Sequence, residues 1–244
     1  MEDKSRLSAE VRFLDANGLM VPSLLGKVDA AAVVRGGPVR PFPSYRGQRN
    51  YPGWLWTATT RSLVGYESLL ERDRLWLADF DPTVRWIASQ PFWLSGRDGS
   101  TSRRHVPDFL LEHVDGTYTV VDVKPEDLLT TPEVAAVLDW TARLCSAKGW
   151  RYEIWSGEDP IRLRNLRFLA AGRRLHLVDQ DALVKVAATG VPGMTFGQIE
   201  ESAGGDQATA RAALLSLLWF GHWTTDLSRP LSHQSLIETA GVAA

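Results

Sequence analysis

Two runs, HVPDFLLEH (105–113) and TYTVVDVK (117–124), flank Asp115-Gly116. Asp-Gly between such runs is a strong hairpin signal, because glycine takes the positive φ that a tight turn needs. They are read as two β-strands, and the rest of the chain is read around them. Side chains alternate along a strand, so Val121 and Val123 face one way and Asp122 and Lys124 the other, about 6.5 Å apart. Asp108 follows Pro107 at the start of the partner strand and reaches the same end of the sheet.

Around the hairpin, WLWTATT (54–60) alternates and is rich in Trp and Thr, predicting a strand. In GYESLLERDRLWLADFD, Tyr66, Leu69, Leu70, Leu77 and Phe80 recur at helical spacing. They predict a helix over 65–81, ended by Asp81-Pro82. VRWIASQPFWL (84–94) reads as extended, with a break near Pro91. A helix over 132–148 has Pro132 in its first turn, Thr130 or Thr131 as N-cap and Gly149 as its stop. WRYEIWS (150–156) predicts a strand, and 160–172 a further helix. Helix, three strands, helix, strand gives an α/β core with helices packed on a small central mixed sheet.

The flanks read differently. VRFL (11–14) and AAVV (31–34) suggest short strands, followed by a Pro- and Gly-rich basic arm. Beyond about residue 176, three helical segments precede the strand-like WTTDL, a winged-helix-like order. The expected division is therefore 1–53, a basic arm with strands; 54–175, the core; and 176–244, a winged-helix-like module.

Composition narrows the function. The single cysteine, Cys145, can form neither an internal disulfide nor a thiolate metal site, which fits a reducing cytoplasm. The N-terminus carries no apolar signal core, and no window approaches the ~18 apolar residues of a membrane span. The net charge of −2 does not mark a nucleic-acid binder globally. Arginine clusters do occur locally, at 35–49, 97–104 and 161–174. A guanidinium forks onto phosphate, although each cluster alone reads as a solvated face. No glycine loop matches a P-loop, so ATP hydrolysis is not expected; no nucleophile elbow supports Ser–His–Asp catalysis, and the four histidines other than His105 form no ligand-spaced pair.

The chemistry therefore centres on the hairpin. A lone D-x-K on a strand reads as an edge ion pair. Two converging carboxylates, Asp108 and Asp122, suit a hard cation such as Mg²⁺. Lys124 beside them can orient or help deprotonate an attacking water, or stabilise charge in a phosphoryl transition state. A further carboxylate comes from Glu67 or Glu71, neighbours at i,i+4 on the predicted helix. Periodicity centred on Tyr66, Leu70 and Leu77 favours Glu67; Leu75 and Ala78 give the side of Glu71 a second apolar surface. His105 reads as a phosphate contact or a simple polar residue.

A helix carboxylate, then P-D, then D-x-K, in αβββ order, resembles the PD-(D/E)xK nuclease superfamily. SLLE (68–71), FDPTV (80–84), QP (90–91), PDFLL (107–111) and DVKP (122–125) together are similar to the TnsA family, the endonuclease subunits of heteromeric transposases. The resemblance runs over about 55–175 and continues more loosely into the C-terminal region. It implies a restriction-endonuclease-like core. It also implies Glu71, Asp108, Asp122 and Lys124 as catalytic residues, with Glu71, Asp108 and Asp122 holding Mg²⁺, for which Mn²⁺ substitutes. Some family members carry a neutral amide at the position of Asp122, leaving the neighbouring backbone carbonyl to ligate. The implied substrate is double-stranded DNA at transposon ends, cut to leave a 5′ phosphate on the strand opposite that cut by a DDE-type transposase subunit. An AAA+ ATPase regulator is the further partner, contacting the C-terminal region. The predicted helix at 206–220 offers mainly Gln207 and Arg211, and Glu200, Glu201 and Asp206 make its surroundings acidic, so protein contact is preferred to DNA contact there. The alternatives are a stand-alone restriction or repair nuclease, and a non-catalytic scaffold; the intact Asp108, Asp122 and Lys124 argue against the scaffold.

Overall fold

The computed structural model describes residues 6–42 and 50–239. Its contacts divide the chain into two units, Met1–Gly157 and Glu158–Ala244. Among the described residues no helix is long and apolar enough to cross a membrane.

The first unit is built on a four-stranded mixed sheet of order β10-β9-β8-β5. These are β5 (Val84–Ser89), β8 (Phe109–His113), β9 (Tyr118–Val123) and β10 (Arg151–Trp155). The hairpin β8–β9 is antiparallel, β5 joins β8 antiparallel, and β10 lies parallel to β9. A parallel neighbour needs a crossover, and helix α4 (Pro132–Lys148) supplies it. The helix begins with proline at N1, where the missing N–H costs nothing, and stops at Gly149, whose φ of 80° closes it in the left-handed region. The short helix α3 (Glu126–Leu129) precedes it.

Both faces of this sheet are covered. Val121, Val123, Phe109, Leu111 and Ile87 pack with Leu75 and Ala78 of helix α2 (Leu69–Phe80). Leu110, Val120 and Ala88 pack on the other face with Trp140 and Leu144 of α4. That second core also holds residues of an antiparallel sheet of order β2-β1-β6-β7. Its strands are β1 (Glu10–Leu14), β2 (Met20–Leu24), β6 (Trp93–Asp98) and β7 (Thr101–His105). A small pair, β3 (Gly53–Thr57) with β4 (Ser62–Tyr66), completes the unit. The expected α/β class with a small mixed sheet is present.

Three local expectations are corrected. Residues 31–34 belong to helix α1 (Ala30–Val34), because Asp29 accepts the N–H of Ala31 at 3.0 Å and caps it. The helix predicted from 65 starts at Leu69: Gly65 and Tyr66 pair in β4, and Ser68 is the N-cap. The run 105–113 is broken at Val106-Pro107-Asp108, so β7 and β8 lie in different sheets. Proline has no N–H for a ladder and favours such a switch. Of the basic arm, residues 43–49 lie outside the described residues.

The second unit holds α5 (Pro160–Leu169) with a 3-10 turn at Ala170–Gly172, a second at Leu175–Leu177, then α6 (Gln180–Thr189), α7 (Phe196–Ser202) and α8 (Gln207–Trp219). Two-residue strands β11 (Trp223–Thr224) and β12 (Glu238–Thr239) pair antiparallel after them. Helix α5 and its 3-10 turn pack on α8, so they join this unit.

Candidate active site

The break between β7 and β8 opens the site. Asp108 is buried, and its Oδ2 accepts from the backbone N of Val123 at 2.7 Å and from Lys124 Nζ at 3.2 Å. Lys124 Nζ also donates to the Val123 carbonyl at 3.0 Å. One ammonium thus faces two oxygens, a carboxylate and a main-chain carbonyl, at the end of β9. Burial raises the carboxyl of Asp108 above its usual range, as does the nearby charge of Asp122, against the opposing pull of Lys124. Burial works to lower Lys124, but Asp108, Asp122 and Glu71 overcome it and hold the ammonium protonated.

Helix α2 brings Glu71 to the same place. Its Oε1 accepts from Ser68 Oγ at 2.9 Å and its Oε2 from the N of Glu67 at 2.7 Å, while its own N–H donates to Ser68 Oγ at 3.2 Å. This reciprocal cap fixes the carboxylate in the first turn. Burial, then the charge of Asp108, pushes Glu71 up to about 7. The start of α2 at Leu69 separates the two candidate glutamates. Glu67 lies before the helix and pairs with Arg40 at 2.6 Å. Glu71, Leu75 and Ala78 share the buried face of α2.

Asp122 is placed differently. It is fully buried, and its oxygens are held by His105 Nε2 at 2.8 and 2.9 Å and by Tyr152 OH at 2.6 Å. Its charge acts on Asp108 and Lys124, but its lone pairs are largely committed to these two donors. Sequence reasoning missed both partners as a pair. Tyr152 lies opposite Val120 in the parallel ladder, hence on the face of Asp122, and the β9–β10 register was the signal.

Among the described residues no three His, Cys, Asp or Glu side chains form a group that could hold a metal ion alone. Mg²⁺ does not need one: it binds through one or two carboxylates, keeps waters, and takes substrate phosphates as ligands. The oxygens of Asp108 and Val123, which already share one ammonium, and the raised carboxyl of Glu71 fit that chemistry.

Residues 81–157 match the family model described as TnsA-like endonuclease N terminal. This segment is similar to a TnsA-like endonuclease domain. The match takes in Asp108, Asp122, Lys124, His105 and Tyr152; Glu71 precedes it. No curated protein matches the chain. Within the matched segment, Asp108, Asp122 and Lys124 sit together at one end of the central sheet.

The arginine clusters are partly engaged. Arg35 pairs with buried Glu112 at 2.7 Å and stacks over Trp86, and Arg103 pairs with Asp98 at 2.7 Å. Arg104 is exposed and lies over Trp93, on the strand that ends at His105. In the second unit Arg211, expected on an exposed reading face, makes a two-pronged pair with buried Glu200 at 2.7 and 3.0 Å.

Proposed function

We propose that this chain is a Mg²⁺-dependent endonuclease, with Mn²⁺ substituting, that hydrolyses double-stranded DNA at the ends of a mobile element. The observation that carries it is the pairing of Asp108 with Lys124 beside the Val123 carbonyl, within the TnsA-like segment. Glu71 and Asp108 would hold the ion, with the Val123 carbonyl; Asp122 joins them if His105 and Tyr152 release it, and otherwise contributes its charge. A bound divalent ion would polarise the phosphate and acidify the attacking water. Lys124 holds its proton and places a positive charge beside the reacting phosphate.

In this reading the cut leaves a 5′ phosphate, on the strand opposite that cut by a DDE-type transposase subunit. The helices of the second unit, with their paired β11 and β12, are a winged-helix-like module that meets an AAA+ ATPase regulator. The engagement of Arg211 by Glu200 supports protein contact over DNA reading there. The protein would act in the cytoplasm.

The test is cleavage of duplex DNA bearing element ends, in Mg²⁺ or Mn²⁺, with and without candidate partners. Wild type is expected to cut and Lys124→Ala to lose at least ~100-fold in rate. Equal cutting by both would remove the lysine from the mechanism. Robust cutting of unrelated DNA by the chain alone would favour a stand-alone nuclease.

A further inference from the structure

Gln90 carries two costs in one residue. Its backbone takes φ +43°, the left-handed region that side-chain-bearing residues avoid, and Pro91 follows it and narrows its choices further. Its side chain is buried, 2% exposed, and among the described residues neither Nε2 nor Oε1 of its amide has a hydrogen-bond partner. Buried polar atoms of native proteins are nearly always paired. Glycine would relieve the backbone, and leucine would fill the space without orphaned atoms, yet glutamine stands here.

The main chain of Gln90 is fully committed. Its N–H donates to the Asp108 carbonyl at 2.8 Å, and its carbonyl accepts from Val39 at 3.0 Å. The strained residue is therefore tied directly to the site aspartate, at the end of β5 where β8 begins. Strain and unmet polar capacity gathered at a catalytic sheet end point to a partner from outside the chain. The chemistry of the site says which. It is rich in oxygen acceptors, in Glu71, Asp108, Asp122 and the Val123 carbonyl, yet the Gln90 amide bonds to none of them. The donors of the site are already taken: Lys124 is engaged by Asp108 and Val123, and His105 and Tyr152 by Asp122.

We propose that Gln90 is a substrate contact, its side-chain amide donating to a non-bridging oxygen of the DNA phosphate at or beside the scissile position. This rests on the nuclease reading above. The left-handed turn and the lack of a partner among the described residues leave the amide free to meet DNA.

The experiment measures thermal melting of the free protein, and affinity for a short end-bearing duplex in Ca²⁺. Wild type is compared with Gln90→Gly and Gln90→Leu, the second keeping the volume if the first opens a void. Both variants are expected to melt no lower than wild type and to bind the duplex about three- to tenfold more weakly, the worth of one hydrogen bond. Wild-type affinity in both variants overturns the proposal alone. So does an affinity loss that comes with a lowered melting temperature in both, since Gln90 would then serve the fold. A folded wild type that binds no duplex overturns the nuclease reading, and the contact with it.

Discussion

Glu71→Gln should make the metal-free protein more stable at pH 8 while leaving it nearly unchanged at pH 4. The carboxyl of Glu71 is raised from 4.5 to about 7, by burial first and by Asp108 second. An acid whose folded pKa lies above its unfolded value binds its proton more tightly in the native state. Its stabilising effect is complete below about 4.5 and is lost as pH rises through about 7. The rise corresponds to about 3 kcal/mol, an upper figure because relaxation of the site would reduce it. Glutamine has no proton to lose and keeps an acceptor for Ser68 or for the Glu67 N–H. Urea denaturation at pH 4, 6 and 8 in a chelator should show the variant gaining on wild type by about 2–3 kcal/mol across that range. A constant difference between the two proteins at all three values would mean that burial and Asp108 do not raise the Glu71 carboxyl.

Tyr152→Phe removes a 2.6 Å hydrogen bond to fully buried Asp122 and should cost about 2 kcal/mol in urea denaturation; an unchanged midpoint would mean that His105 alone satisfies the carboxylate. Arg211→Ala leaves Glu200 buried with His233 at 3.4 Å, and should destabilise the second unit by about 2 kcal/mol, the partial exposure of Arg211 reducing the larger figure of a fully buried pair. Gly172→Ala would place a Cβ 2.3 Å from the backbone N of Ser216 on α8, so the packing of the 3-10 turn must shift; a loss of at least ~2 kcal/mol by calorimetric melting is expected, and a wild-type melt would contradict that close approach.

The hairpin and its parallel neighbour were legible because Asp115-Gly116, Pro132 and Gly149 act through local geometry that any context preserves. Asp108 and Lys124 were legible for the same reason: a two-residue alternation and a hairpin register fix which side chains meet. The helix start was not. Tyr66 has the spacing of a helical apolar residue, but it pairs with Gly53 of β3, thirteen residues away, an interaction that no local period reveals. That error had put Glu67 on a helix it does not join. The β6–β7 hairpin was hidden because RRH runs into VPDFLL without a turn residue, and the switch between sheets falls on Pro107. Partnerships of charge were the least legible. Arg35 with Glu112, Arg211 with Glu200 and His105 with Asp122 all join elements whose approach depends on tertiary packing.

The proposed function requires Asp108 to anchor a divalent cation at the end of β9. Calorimetric titration of Mn²⁺ into wild type and Asp108→Ala tests it without a partner or a known DNA site. Mn²⁺ is expected to bind wild type and not the variant, and to bind more tightly at pH 8 than at pH 6 because Glu71 must give up its proton. Wild type that takes up no Mn²⁺ at millimolar concentration, alone or with a short duplex present, would contradict it.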